Sequence, residues 1–186
     1  MWIVIVVVIV IVLAVLFFIA AYNGLIRNRN RVDQSWSQIG VQLERRHDLI
    51  PNLVETVKGY AAHERQTLEA VVEARNNAVQ VQQQQGPAAQ AQAENVLTGA
   101  LRQLFALSEA YPDLKANQNF LNLQEELTAT EDRISYARQF YNDSVQTYNT
   151  SIQTFPRNMI AGMFNFQPRE FFQAADGSAE VPRVQF

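Results

Sequence analysis

The side chains best suited to chemistry are two histidines, His47 and His63, and a set of carboxylates, because the chain contains no cysteine. Glu44-x-x-His47 has the spacing by which a helix presents a carboxylate and an imidazole to a di-metal site inside a bundle. That template needs a second copy and two further glutamates, and His63 has Tyr60 three residues before it. His47 is therefore expected to be a surface histidine or one associated with a helix kink, and no metal or other cofactor is expected. Neither a G-x-S-x-G nucleophile elbow nor a glycine-rich phosphate loop occurs. The 18 aspartates and glutamates read as solvated faces of amphipathic helices rather than as paired acids and bases. With no catalytic constellation in view, the chain is expected not to be an enzyme.

Composition narrows the remaining classes. Absence of cysteine removes disulfides, thiol nucleophiles and thiolate metal sites, and it suits a reducing compartment. A formal net charge of -3, with Lys58 and Lys115 the only lysines, disfavours nucleic acid as a partner.

The elements that must position any site begin with a run of Ile, Val, Leu, Phe and Ala from Trp2 to Tyr22 that carries no charge. Roughly 20 such residues at 1.5 Å each cross about 30 Å, the thickness of a bilayer's hydrocarbon core. The run reads as a transmembrane helix with Trp2 and Tyr22 at the two interfaces, where amphipathic rings prefer to sit. A cleaved signal would need a basic leader and a small-residue cleavage site, and neither is present. Arg27, Arg29 and Arg31 follow the run, which by the positive-inside rule predicts an external amino terminus and a cytoplasmic body. The lipid bilayer is thus the first expected partner.

Beyond the span, Leu25, Val32, Trp36, Ile39 and Leu43 form a stripe of helical period, so the membrane helix is expected to continue. Gly40 is a weak spot within it, costing up to about 1 kcal/mol relative to alanine. At Asp48-Leu49-Ile50-Pro51 a break is expected, because proline lacks a backbone donor and Asp48 could cap a new helix. The stripe resumes through Val54, Val57, Ala61, Leu68, Val72 and Val79 and ends in a glutamine run closed by Gly86-Pro87. A further helix carries Val96, Leu97, Leu101, Leu104 and Leu107 and stops before Pro112. From Asn119 to about Thr154, Phe120, Leu123, Leu127, Thr130, Ile134, Ala137, Tyr141, Val145, Tyr148 and Ile152 mark one seam about ten turns long. Phe155-Pro156 ends it. No strand-type alternation appears, so the fold is expected to be all-α: a transmembrane helix (1–24) continuing into an antiparallel long-helix bundle (25–155), then a short helix and tail (156–186).

Several ordered words in the chain also resemble those of LemA-family proteins. They are Arg29-Asn30-Arg31-Val32, Trp36-Ser37 and Val41-Gln42-Leu43, then Arg45 through Val54 and Gly59-Tyr60-Ala61. Further along come Glu109 through Ala116, Thr130 through Ile134, Tyr141-Asn142, Tyr148-Asn149 and Phe155-Pro156. The likeness covers nearly the whole chain and departs at Gly40, where relatives often carry an aspartate. It implies an amino-terminal membrane helix with an extracytoplasmic amino terminus and a long-helix domain, in a family that includes a magnetosome member. It implies no settled biochemical activity.

Two aromatic clusters remain. Tyr136, Phe140, Tyr141 and Tyr148, with Asn142 and Asn149, fit a bundle core whose hydroxyls reach the rim, or a contact between subunits. Phe164, Phe166, Phe171 and Phe172 are too many for the residues left around them to bury, so they must dock on the bundle, a neighbour or a membrane surface. Tyr141, Tyr148 and the four phenylalanines are accordingly the candidate assembly contacts. The expectation is a membrane-anchored scaffold that self-associates into a homo-oligomer larger than a dimer and organises or curves the membrane. Its alternative is a membrane-tethered accessory factor that binds a client such as a protease or envelope sensor.

Overall fold

The structure is a computed structural model that describes residues 1–173; the chain end, with Gly177, Pro182 and the terminal Val184-Gln185-Phe186, lies outside the described residues. Among the described residues six helices follow one another: α1 (Trp2–Lys58), α2 (Arg65–Gln84), α3 (Pro87–Ser108), α4 (Pro112–Lys115), α5 (Gln118–Gln153) and α6 (Arg157–Met163). There is no strand among the described residues, and the protein is all-α as its periodicity predicts. The chain divides into two compact units. One comprises Met1–Ser37 and Gln139–Arg169, the other Gln38–Arg138 with Glu170–Phe186, of which the described part ends at residue 173. This grouping differs from the linear division at 24 and 155, because α1 and α5 each contribute to both units.

In the first unit, the opening stretch of α1 is apolar and outward-facing, with a mean hydropathy of 3.8 over its most apolar window and none of that window buried. It is the one helix among the described residues long and apolar enough to cross a membrane. From Ala21 onward the same helix acquires a buried face. Ala21, Leu25 and Val32 are buried there, opposite Tyr141, Val145, Tyr148 and Ile152 of α5, which are buried as well. Trp36 and Tyr141 pack at a tilt of 52°, with 5.4 Å between ring centroids.

In the second unit, Ile39, Leu43, Ile50, Leu53 and Val57 of α1 are buried. The core continues through Leu68, Val71, Ala74, Ala78 and Val81 of α2, Ala93, Leu97, Leu101 and Leu104 of α3, Leu114 of α4, and Phe120 and Leu127 of α5. The expected face of α2 was rotated: Val72 is exposed and Val79 half-buried, while Val71, Ala74, Ala78 and Val81 point inward. The two alanines on the true face, Ala74 and Ala78, carry too little hydrophobicity to outweigh Val72 and Val79 in a pattern count, yet small residues permit close helix packing. At the start of α5, Asn117 Oδ1 accepts the Phe120 amide at 3.0 Å, satisfying one of the first-turn donors.

The expected break at Asp48 and Pro51 is absent. Helix α1 runs through both residues to Lys58, and Asp48 is an exposed mid-helix residue with no freed first turn to cap. Interior proline normally costs about 3 kcal/mol, in part because the carbonyl four residues earlier loses its donor. That carbonyl belongs to His47, and Arg75 of α2 donates its Nε to it at 3.2 Å. The missing bond is thus replaced from another helix. Gly40 is spanned too, and the Gln82 amide donates to its carbonyl at 3.4 Å.

This compensation has a measurable signature. Pro51→Ala restores the local donor and is expected to raise unfolding stability by about 1–3 kcal/mol, whereas Asp48→Ala stays within about 0.5 kcal/mol. Arg75→Ala should cost about 1–3 kcal/mol in the native background and markedly less in Pro51→Ala, as read by urea unfolding followed by circular dichroism. Simple additivity of the two substitutions would show that Arg75 does not replace the proline's missing bond.

Candidate functional site

The most concentrated polar chemistry lies inside the second unit, on the turn of α1 that precedes Pro51. Arg46 and His47 are adjacent in sequence and both buried, as are Gln90 and Glu94 of α3. Glu94 is the hub. Its Oε2 accepts from Arg46 Nη1 at 3.2 Å, while its Oε1 accepts from Gln90 Nε2 at 2.9 Å and lies 2.8 Å from His47 Nε2. An ionised carboxylate only accepts, so His47 Nε2 carries its proton in this arrangement. Arg46 extends the network outward, with Nη1 3.0 Å from Glu131 Oε2 on α5 and Nη2 donating to Thr98 Oγ1 at 2.7 Å. Gln90 Nε2 also donates to the Ala78 carbonyl of α2 at 3.3 Å. Four helices are thereby pinned together by one network, charge-assisted at Arg46 and Glu94 and neutral where Gln90 reaches α2.

His47 is therefore not the surface histidine expected from sequence. Its burial follows from Glu94, a carboxylate 47 positions away that α3 places against it. Glu44 and His47 both border an open cleft of about 400 Å³ with Asp48, Arg75, Val79, Gln82 and Gln83. Among the described residues no three histidines, aspartates or glutamates converge as a metal-ligand set. The carboxylate that matters to His47 is Glu94 rather than Glu44, and its oxygens are already taken by Arg46, Gln90 and His47. As an acid–base pair the two groups are occupied by each other and buried. Their chemistry is that of a structural clamp.

The first unit contains a second polar cluster, built from the tyrosine and asparagine words of α5. Tyr148 donates its hydroxyl to the Gln167 carbonyl at 2.9 Å, and burial pushes this phenol above its ordinary pKa, which keeps the donor protonated. Asn149 grips the backbone of Arg169 with both ends of its amide, Nδ2 donating to the carbonyl and Oδ1 accepting from the N–H, each at 2.9 Å. Arg169 Nη2 then reaches Asp33 Oδ1 of α1 at 2.8 Å. One turn further along, Asn28 Nδ2 donates to Ser151 Oγ at 2.8 Å. The segment after α6 is thus strapped back onto α5 and α1.

This placement revises the candidate assembly contacts. Tyr141 and Tyr148 are buried in the subunit's own packing, as is Phe172, so none of the three is available to another copy. Phe171 is half-buried. Phe166 is half-buried against Tyr22, at 6.0 Å between centroids, and lies under the Arg29 guanidinium at 5.6 Å. Phe164 packs on Tyr22 at 4.8 Å. Of the juxtamembrane arginines, Arg31 lies over Phe140 at 5.1 Å, and Arg27 is exposed. Trp2, at the far end of the span, is exposed as an interfacial ring would be. Arg46 and Glu94 went unnoticed in the sequence because nothing local distinguishes them from surface charges.

Removing Glu94 leaves the Arg46 charge buried, so Glu94→Ala is expected to cost about 3–5 kcal/mol. Glu131→Ala removes only a half-exposed partner and should cost under about 1 kcal/mol. Thermal unfolding of the full chain in detergent distinguishes them, and equal costs would mean that Glu94 is not the hub.

Comparison with known proteins places this architecture among relatives. A profile of the LemA family matches residues 35–186. The chain is similar to Protein LemA of Metamycoplasma hominis, with 24% identity over 168 residues that cover 90% of this chain and 74% of the relative. It is also similar to magnetosome proteins MamQ 1 and MamQ 2 of Paramagnetospirillum magneticum, each 26% identical over 188 residues covering 86% of this chain and 69% of the relative.

Proposed function

The chain belongs to the LemA family and is a membrane-associated helical protein, and from that premise we propose that it is a non-enzymatic scaffold that self-associates in the plane of the membrane. The observation that carries this reading is the direct packing of α5 on the helix that bears the span. Trp36 against Tyr141, Asn28 on Ser151 and Asp33 on Arg169 fix the carboxyl-terminal part of the first unit to α1. No linker intervenes. Copies anchored this way share one plane and one orientation, which raises their effective concentration and lets weak lateral interfaces suffice. Surface for such an interface exists on α5, where Tyr136 is 79% exposed, and tyrosine is a residue type enriched at protein contacts. The basic flank at Arg27, Arg29 and Arg31 supports a cytoplasmic body and an external amino terminus.

In mild detergent at micromolar concentration the native mass should exceed that of a dimer, and Tyr136→Lys should lower it without changing helix content by circular dichroism. A chain that stays monomeric in several mild detergents would sink the scaffold reading and promote a client-binding adaptor in its place. For orientation, Gln85→Cys should resist an impermeant thiol reagent in intact cells, and ready labelling would reverse the topology.

A further inference from the structure

Helix α6 follows α5 closely and packs beside the end of the span. Its inner side is formed by Ile160 and Ala161, both buried. Immediately after it, the Phe164 ring lies 4.8 Å from Tyr22 and 6.1 Å from Phe18, one helical turn deeper in the span. The chain then folds back through Asn165, which has a φ of 54°, and the Phe166 amide donates to the Ala161 carbonyl at 2.9 Å. Aromatic contact with Phe18 and Tyr22 sets the depth of this segment. It sits level with the last turn of the transmembrane run.

Its outer side is apolar. Phe155, Met159 and Met163 are 75%, 63% and 73% exposed, and Phe164 remains 49% exposed despite its contacts. No acidic residue occurs from Phe155 to Arg169. Arg157 lies beside Gly24, two residues past Tyr22, its Nη2 4.0 Å from where a Cβ on that glycine would stand. Exposed apolar rings and thioethers next to the end of a span, with cations just beyond them, match the layering of a bilayer interface from acyl chain to headgroup.

We propose that α6 and its flanks form a second membrane contact: Phe155, Met159, Met163 and Phe164 lie in the interfacial lipid of the leaflet that Tyr22 reaches, with Arg157 at the headgroups. The occupant is lipid because the surface is continuous with a helix face that lipid already covers. The chain is thus held at the bilayer by a span and an adjoining foot. This contact rests on the span and not on self-association, so it stands or falls separately from the scaffold reading.

The absence of native cysteine permits a direct test on the full chain in nanodiscs of mixed neutral and anionic phospholipid. Met159→Cys and Met163→Cys, each carrying an environment-sensitive NBD fluorophore, should be quenched severalfold more by lipids bearing a nitroxide high on the acyl chain than a Gln85→Cys control. They should also be shielded from aqueous iodide, which quenches the control. Phe155→Cys supplies a third site should either methionine variant lose helix content. Labels at 159 and 163 as open to iodide as the control would overturn the proposal. Labels shielded from iodide and from lipid nitroxide alike would overturn it too, since protein rather than lipid would then cover the face.

Discussion

The constraint on which the rest of the structure depends is the exposure of the first turns of α1 along their whole circumference. Fully burying one large aliphatic side chain is worth about 1.5–3 kcal/mol, so a run from Trp2 to Ile19 left in water forfeits on the order of tens of kcal/mol. That exceeds the net stability of an ordinary domain, about 5–15 kcal/mol. A bilayer around this stretch would remove that cost, which is why the helix fits a single-pass membrane protein. A lipid-exposed backbone must satisfy its hydrogen bonds internally, which a helix does and a loop cannot. Once that helix exists, the first unit is assembled on its continuation: a buried stripe begins at Ala21 and Leu25, and α5, α6 and the strap from Gln167 to Arg169 are laid against it.

Within the second unit the same helix meets a different difficulty. An apolar seam alone would hold α1, α2, α3 and α5 together without specifying how they are rotated, and the alanine-rich face of α2 offers little shape to discriminate. Arg46, His47, Gln90 and Glu94 supply direction, because a buried carboxylate satisfied by three donors from two helices tolerates few alternative placements. Arg75 adds a further constraint by donating to the carbonyl that Pro51 leaves without a partner. The clamp and the repair occupy neighbouring residues of α1, so the ordered word Arg45 to Asn52 has a physical reason in the packing of the second unit.

Much of this was legible in the sequence, in proportion to how local its cause is. The span declares itself by length and hydropathy. The seam of α5 is followed closely, with Phe120, Leu127, Thr130, Ile134, Tyr141, Val145, Tyr148 and Ile152 all buried. Features with distant causes were not legible. A proline in a sequence predicts a helix end, and the donor that replaces its missing bond in α1 comes from Arg75, 24 positions away. His47 resembles a surface residue until Glu94 is placed beside it. Tyr141, Tyr148 and Phe172 suggested contacts between copies because the partners that bury them are supplied by the fold and by no local pattern. The family resemblance anticipated the helical body and the amino-terminal helix, and it was silent on the clamp.

At the centre of this account is the claim that the carboxyl-terminal part of the first unit is fixed to the helix that enters the membrane. The most direct measurement is a pulsed electron-spin distance between nitroxides at two exposed positions of that unit, Asn30 on α1 and Gln146 on α5, in the full chain reconstituted into nanodiscs. Dilution with unlabelled chain keeps the signal within one subunit. The account predicts a single narrow distribution that is the same in nanodiscs and in detergent. A broad distribution, or one that shifts when lipid replaces detergent, would contradict it and return the body to the status of a domain on a flexible tether.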